Sequence, residues 1–123
     1  MILLACGGRD YNDRAAGWPV LDAVHAKRPI QLLIHGAAPG ADHLAAAWAI
    51  ERGIPALAVP ARWHDLGNRA GPDRNRRMLE GILAMKPDGV IAFPGGRGTK
   101  DMVRQATAAG VTVYHPFPPR SDS

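Results

Sequence analysis

Cysteine is almost absent. Cys6 is the only one in 123 residues, so no intrachain disulfide can form. Long apolar runs are absent too: nothing approaches the roughly 20 residues of a membrane-spanning helix. The apolar start at Ile2–Cys6 is too short for a signal peptide and has no basic leader. A cytoplasmic protein without membrane association is expected. Histidines, the cysteine and the carboxylates nowhere take the spacing of a metal site. The Gly-x-Ser-x-Gly elbow is missing, and so is the Gly-Lys-Ser/Thr order of a Walker loop, because Thr99 precedes Lys100. Neither a metal nor a cofactor is therefore expected. Charge of either sign is modest. A net charge of +4 and a pI near 9.8 favour phosphorylated or acidic partners without requiring nucleic acid.

What the chain does have is a repeated unit: an apolar run, then a glycine-rich loop, then a helical pattern. The runs are Ile2–Cys6, Gln31–His35, Ala56–Val59, Gly89–Phe93 and Val111–Tyr114, each short enough for a buried strand, with the third weaker and nearer an edge. The first helix is expected between Asn12 and Lys27, with Pro19 suited to a first helical position. The second runs from about Asp42, a good N-cap, to Arg52. After a long loop from Pro60 to Gly71, Pro72 opens a third helix that carries Arg74 to Met78 and Leu83. The last helix has Met102, Val103, Ala106 and Ala109 on one face and Gly98 or Thr99 as its N-cap. Five strands alternating with four helices predict an α/β fold with a parallel sheet and right-handed crossovers, of order 3-2-1-4-5. One domain over residues 1–115 is expected, with 116–123 as a Pro-rich flexible tail.

In such a sheet every strand-to-helix loop lies on the carboxyl edge, where ligands bind. Gly7-Gly8-Arg9-Asp10, Gly36 to Asp42 with Gly40 between, Pro60 to Gly71, and Pro94-Gly95-Gly96-Arg97-Gly98-Thr99 are thereby expected to converge. The last of these is the centre of the pattern. Its glycines sit between a strand end and a helix start, where unpaired N–H groups and the helix dipole favour an anion by roughly 0.3–1 kcal/mol. A phosphate can approach such a loop closely. The same stretch also reads as a tight turn without a ligand. It does not complete the dinucleotide fingerprint, since Asp101 stands in the place of the third glycine.

Several side chains at this edge carry possible chemistry. Arg62, Arg69, Arg74, Arg76 and Arg77 cluster in sequence against only Asp65 and Asp73, and arginine forks suit phosphate oxygens. Arg76 and Arg77 read as a solvated helix face. Arg74, expected in the first turn of its helix, reads as a ligand contact. Asp101, expected in the first turn of the last helix, suits that turn by charge alone; it could also hold ribose hydroxyls or do acid–base work. Asp10 and Asp42 share that ambiguity. Trp63 either stacks on a base or pins its loop. His35 is expected to be structural and Cys6 to be core.

Four motifs in order resemble the YspA-like branch of the SLOG superfamily and cover nearly the whole chain: Gly7-Gly8-Arg9-Asp10-Tyr11, His35-Gly36-Ala37-x-x-Gly40-Ala41-Asp42, Ala70-Gly71-Pro72-x-Arg74-Asn75-x-x-Met78, and Phe93-Pro94-Gly95-Gly96-Arg97-Gly98-Thr99-x-Asp101-Met102. The resemblance implies a Rossmann-like three-layer sandwich and a nucleotide or nucleotide-derived ligand, held by the glycine loops with Asn75. It also implies a homo-oligomer, expected to be a dimer. The superfamily includes LOG-type phosphoribohydrolases, which split nucleoside 5′-monophosphates into base and ribose 5-phosphate, and DprA-like DNA-binding proteins. Arg74 and Met78 match the LOG motif Arg-Lys-x-x-Met, with Asn75 in place of its lysine. Pro94 to Thr99 match the LOG phosphate loop, but Asp101 and Met102 replace its glutamate pair. Arg74 and Asp101 are the catalytic candidates by this resemblance. The readings that follow are a nucleotide-binding protein acting as a sensor, a phosphoribohydrolase, and, third, a nucleic-acid binder.

Overall fold

Strand β1 (Ile2–Cys6) runs through the middle of a parallel five-stranded sheet whose order is β3-β2-β1-β4-β5. The structure, a computed structural model, describes residues 1–81 and 85–117. The other strands are β2 (Leu32–His35), β3 (Ala56–Ala58), β4 (Gly89–Ala92) and β5 (Thr112–Tyr114). Leu3 pairs with Leu33 on one side, and Leu4 with Val90 on the other. Because strand side chains alternate in direction, β1 feeds two cores. Leu3 and Ala5 pack beneath helices α1 (Arg14–Lys27) and α2 (Ala41–Glu51), with Leu21, Leu44 and Trp48. Leu4 and Cys6 pack beneath α4 (Ala70–Glu80) and α5 (Arg97–Ala108), with Met78, Met102 and Ala106. The result is the expected Rossmann-like three-layer α/β sandwich with the expected strand order.

Four helix starts differ from the sequence reading, each for a local reason. Pro19 lies inside α1 and not at its first position, because the Asp13 carboxylate already caps the helix by accepting from the Ala16 N–H at 3.1 Å. Pro19 has no N–H to donate to the Ala15 carbonyl, so the helix forgoes one rung there. Asp42 is not the N-cap of α2. Gly40 is, at φ +78°, and Asp42 turns back towards the preceding loop. Pro72 is the third residue of α4, since a 3₁₀ turn at Gly67–Arg69 winds directly into Ala70. The loop from Pro60 also contains a one-turn helix, α3 (Trp63–Leu66). Helix α5 starts at Arg97 with Gly96 as its cap, earlier than the expected Gly98 or Thr99.

Leu83 and residues 118–123 of the expected tail lie outside the described residues. Phe117 packs against Tyr11 and Phe93, with ring centroids 6.2 and 6.3 Å apart. Among the described residues, no helix is long and apolar enough to cross a membrane.

Candidate functional site

Three strand-to-helix loops lock together at the carboxyl edge through backbone alone. The Gly8 N–H donates to the Pro94 carbonyl at 2.8 Å. The Gly8 carbonyl accepts from the Ala41 N–H at 3.0 Å and from the Tyr11 N–H at 3.2 Å. The loops after β1, β2 and β4 thus meet at one residue. Such contact leaves no space for side chains. A Cβ on Gly95 would lie 2.6 Å from the Gly8 nitrogen, and one on Gly7 would lie 2.8 Å from the Phe93 Cβ. Gly96 and Gly98 are different: nothing lies within 4 Å of where their Cβ atoms would be.

Above this junction is a crevice of about 300 Å³, at the small end of ligand sites. Gly7, Gly8, Arg9 and Asp10 line it from the β1 loop, and Gly36, Ala38 and Asp42 from the β2 loop. Arg74, Asn75 and Met78 face it from α4. Gly96, Arg97, Gly98 and Thr99 face it from the start of α5, with Ala5 and Cys6 as the floor. Most of the sequence-predicted residues are thereby brought together. Gly40, Gly95, Asp101 and Trp63 are not in the lining. Gly40 and Gly95 serve the loop junction behind it. Sequence reasoning did not single out Ala5 or Ala38, and it named Met78 only as part of a motif. Its place in the lining follows from standing one helical turn after Arg74, on the same face.

The two glycine loops differ in where their N–H groups go. After β2, the Gly36 and Ala38 N–H groups both donate to Asp42 Oδ2, at 3.1 and 3.2 Å. The Ala37 N–H donates to His35 Nδ1 at 3.0 Å, and this bond accompanies the left-handed φ of +59° at Ala37. The Gly36, Ala37 and Ala38 donors of that loop are thus satisfied internally, although α2, like α5, has no side-chain cap. At α5 no side chain caps the helix, and the Lys100 N–H, donating to the Gly96 carbonyl at 3.0 Å, is the first rung of its ladder. The N–H groups of Arg97, Gly98 and Thr99 precede that rung, and all three residues border the crevice. Their dipoles sum to a partial positive charge at this point.

The charged side chains divide between support and exposure. Arg74 is the fifth residue of α4, so it lies beyond the first turn where it was expected. Its guanidinium donates to the Gly36 carbonyl at 2.7 Å and to Asn75 Oδ1 at 3.0 Å. Burial lowers its pKa and the nearby Asp42 acts against this; an arginine remains charged. Burial pushes the Asp42 carboxyl up, opposed by the Ala38 N–H, the Arg74 charge and the Gly36 N–H. Burial, then Asp42, raises the Cys6 thiol to about 12, which removes it as a nucleophile. His35 is lowered by burial and then by His43, as its role as a neutral acceptor requires. Arg62, Arg76 and Arg77 all bond to Asp73 on the outer face of α4, which accounts for them without a ligand. Among the described residues, no group of three or more His, Cys, Asp or Glu side chains could hold a metal ion.

Asp101 is the fifth residue of α5, also beyond the first turn, and its carboxylate is fully engaged. It accepts from Asn75 Nδ2 at 3.0 Å, Arg104 at 2.7 Å and Gln105 Nε2 at 2.8 Å. Asn75 also donates to the Gly98 carbonyl at 3.2 Å, so Asp101 fixes the side chain that ties α4 to the crevice wall. Burial works against its ionisation, but the bonds from Asn75, Arg104 and Gln105 outweigh it and hold the carboxyl below its ordinary value. A depressed carboxylate stabilises the fold above its unfolded pKa and loses that contribution as pH falls through the folded one. The melting temperature is therefore expected to fall between about pH 5 and pH 3. Asp101→Asn should melt lower at neutral pH yet show a smaller fall, which a pH series of thermal melts would measure. An equal fall in both proteins would assign the acid sensitivity to other carboxylates.

Residues 1–65 match the model of the YspA, cpYpsA-related SLOG family. The gene 61 protein of Mycobacterium phage D29 is 34% identical over 121 residues, spanning 92% of this chain and 94% of that protein. No solved structure matches. Together with the sheet order and the glycine loops at its carboxyl edge, these matches place the chain in the YspA, cpYpsA-related SLOG family.

Proposed function

We propose that the crevice binds a nucleotide or nucleotide-derived ligand, with a phosphate seated on the N–H groups at the start of α5. One observation carries this reading: the donors of Arg97, Gly98 and Thr99 have no cap, and the glycine on either side of Arg97 leaves open space in front of them. Arg97 and Arg9 border the same space and add positive charge. Family membership supports a nucleotide-related ligand. Binding is favoured over cleavage of the N-glycosidic bond because Asp101, the carboxylate that would act, is committed to Asn75, Arg104 and Gln105 and is not part of the lining. The protein then acts as a sensor or carrier of its ligand.

Calorimetric titration with a panel of nucleoside 5′-monophosphates, paired with chromatography of the mixtures, tests this. Saturable binding without free base is the expected result. Arg74→Ala should weaken affinity by about 10-fold or more, since a charge-assisted bond to Gly36 and a crevice cation are lost together. Base release that disappears in Asp101→Asn would make the protein a hydrolase. A panel that fails to bind at all would remove the nucleotide reading.

A further inference from the structure

Resting on the nucleotide reading of the crevice, we infer that Trp63 is the platform for the base, and that Arg9 yields its place on the indole when the base arrives. Trp63 is 50% exposed, an unusual position for so large an apolar surface. Core packing does not explain it, because α3 contributes no buried residue. The Cη2 edge of the ring faces Gly71, and the Arg9 guanidinium lies 5.8 Å from its centroid. Arg9 also lines the crevice. Arg9 thus borders both the exposed indole and the space assigned to the ligand.

Stacking of a nucleobase on an aromatic ring is stronger than an exposed cation–π contact. A base arriving with its phosphate already at α5 therefore displaces the guanidinium from the ring. The freed cation is then available to the phosphate, so the two ends of the ligand reinforce each other. The ligand class this selects is a nucleoside phosphate with its base intact, in preference to a sugar phosphate alone.

Calorimetric titrations with AMP, ribose 5-phosphate and inorganic phosphate test the inference on the full chain. Wild type is expected to bind AMP more tightly than ribose 5-phosphate by roughly 10-fold or more. Trp63→Ala should bring that ratio close to one, with ribose 5-phosphate bound at least as tightly as by wild type because Arg9 is already released, and Trp63→Phe should keep part of the ratio. Half exposure of the indole makes both variants compatible with folding, which thermal melts would verify. A wild-type ratio near one, or a ratio that survives in Trp63→Ala, overturns the role of Trp63 and leaves the crevice reading standing. Failure of all three probes to bind wild type overturns the crevice reading, and the platform with it.

Discussion

Replacing Gly40 by alanine is expected to destabilise the protein by about 2–3 kcal/mol, a sizeable share of the roughly 5–15 kcal/mol typical of a folded domain. Two effects combine. Gly40 sits at φ +78°, which opposes an L side chain by about 1–2 kcal/mol. Its Cβ would also collide with the Gly8 carbonyl and the Arg9 backbone, neither of which is a flexible side-chain end. Relieving that overlap pulls apart the bond from the Ala41 N–H to the Gly8 carbonyl, a further loss of about 1 kcal/mol. Gly53 is the control, with φ +70° and nothing within 4 Å of its Cβ position. Gly53→Ala should therefore show the conformational part alone. Denaturant melts of both variants measure the difference. Equal losses would mean that the loop junction adds nothing to stability.

Gly98→Val is expected to have the opposite profile: folding preserved and ligand affinity reduced by about 100-fold or more. No atom stands within 4 Å of the Cβ position, and one β-branched residue near a helix start changes stability by only a few tenths of a kcal/mol. The branched side chain would instead fill the space in front of the α5 donors. Two charge-assisted bonds to a phosphate, at about 1.5–3 kcal/mol each, are then lost. Thermal melts should agree with wild type within a few degrees, while titration with the monophosphate bound by wild type should show little or no heat. A folded Gly98→Val that binds as wild type does would move the phosphate away from α5.

The contrast between these glycines also marks how far the sequence could be read. Strand positions were legible, because Leu3, Leu4, Leu33, Ile34, Val90 and Ile91 are buried on both faces of the sheet and leave nearly continuous apolar runs; their order was inferred from the alternation of strands and helices, and the sheet has it. The convergence of Gly8, Asp42, Asn75 and Thr99 on one crevice followed from that order. What did not follow was the division of labour within it. Gly95 and Gly96 are adjacent in sequence, yet Gly95 packs against the β1 loop and Gly96 faces open space. Asp42 and Asp101 each read either as a helix-start carboxylate or as a ligand contact. Which carboxylate is consumed internally depends on Gly36, Ala38, Asn75 and Arg104, and no periodicity encodes those partners. The helix starts were misjudged where Pro19 and Pro72 suggested a beginning that Asp13 and the 3₁₀ turn had already made.

The central place of β1 has a consequence for synthesis. It precedes the other four strands in synthesis, and β2 can pair with it early, but its other edge belongs to β4. That edge includes the Ile2 N–H, which donates to the Asp88 carboxylate at 2.7 Å. Until residues 89–92 emerge, half of the most apolar strand presents unpaired backbone, the kind of edge that recruits other chains. Residues 1–65, the part matched by the family model, end before Arg74, Asn75 and the whole α5 loop. A nascent chain that ends there carries two of the three loops that meet at Gly8 but no crevice wall from α4 or α5. The crevice is thus closed only once α4 and the start of α5 have joined the first two loops.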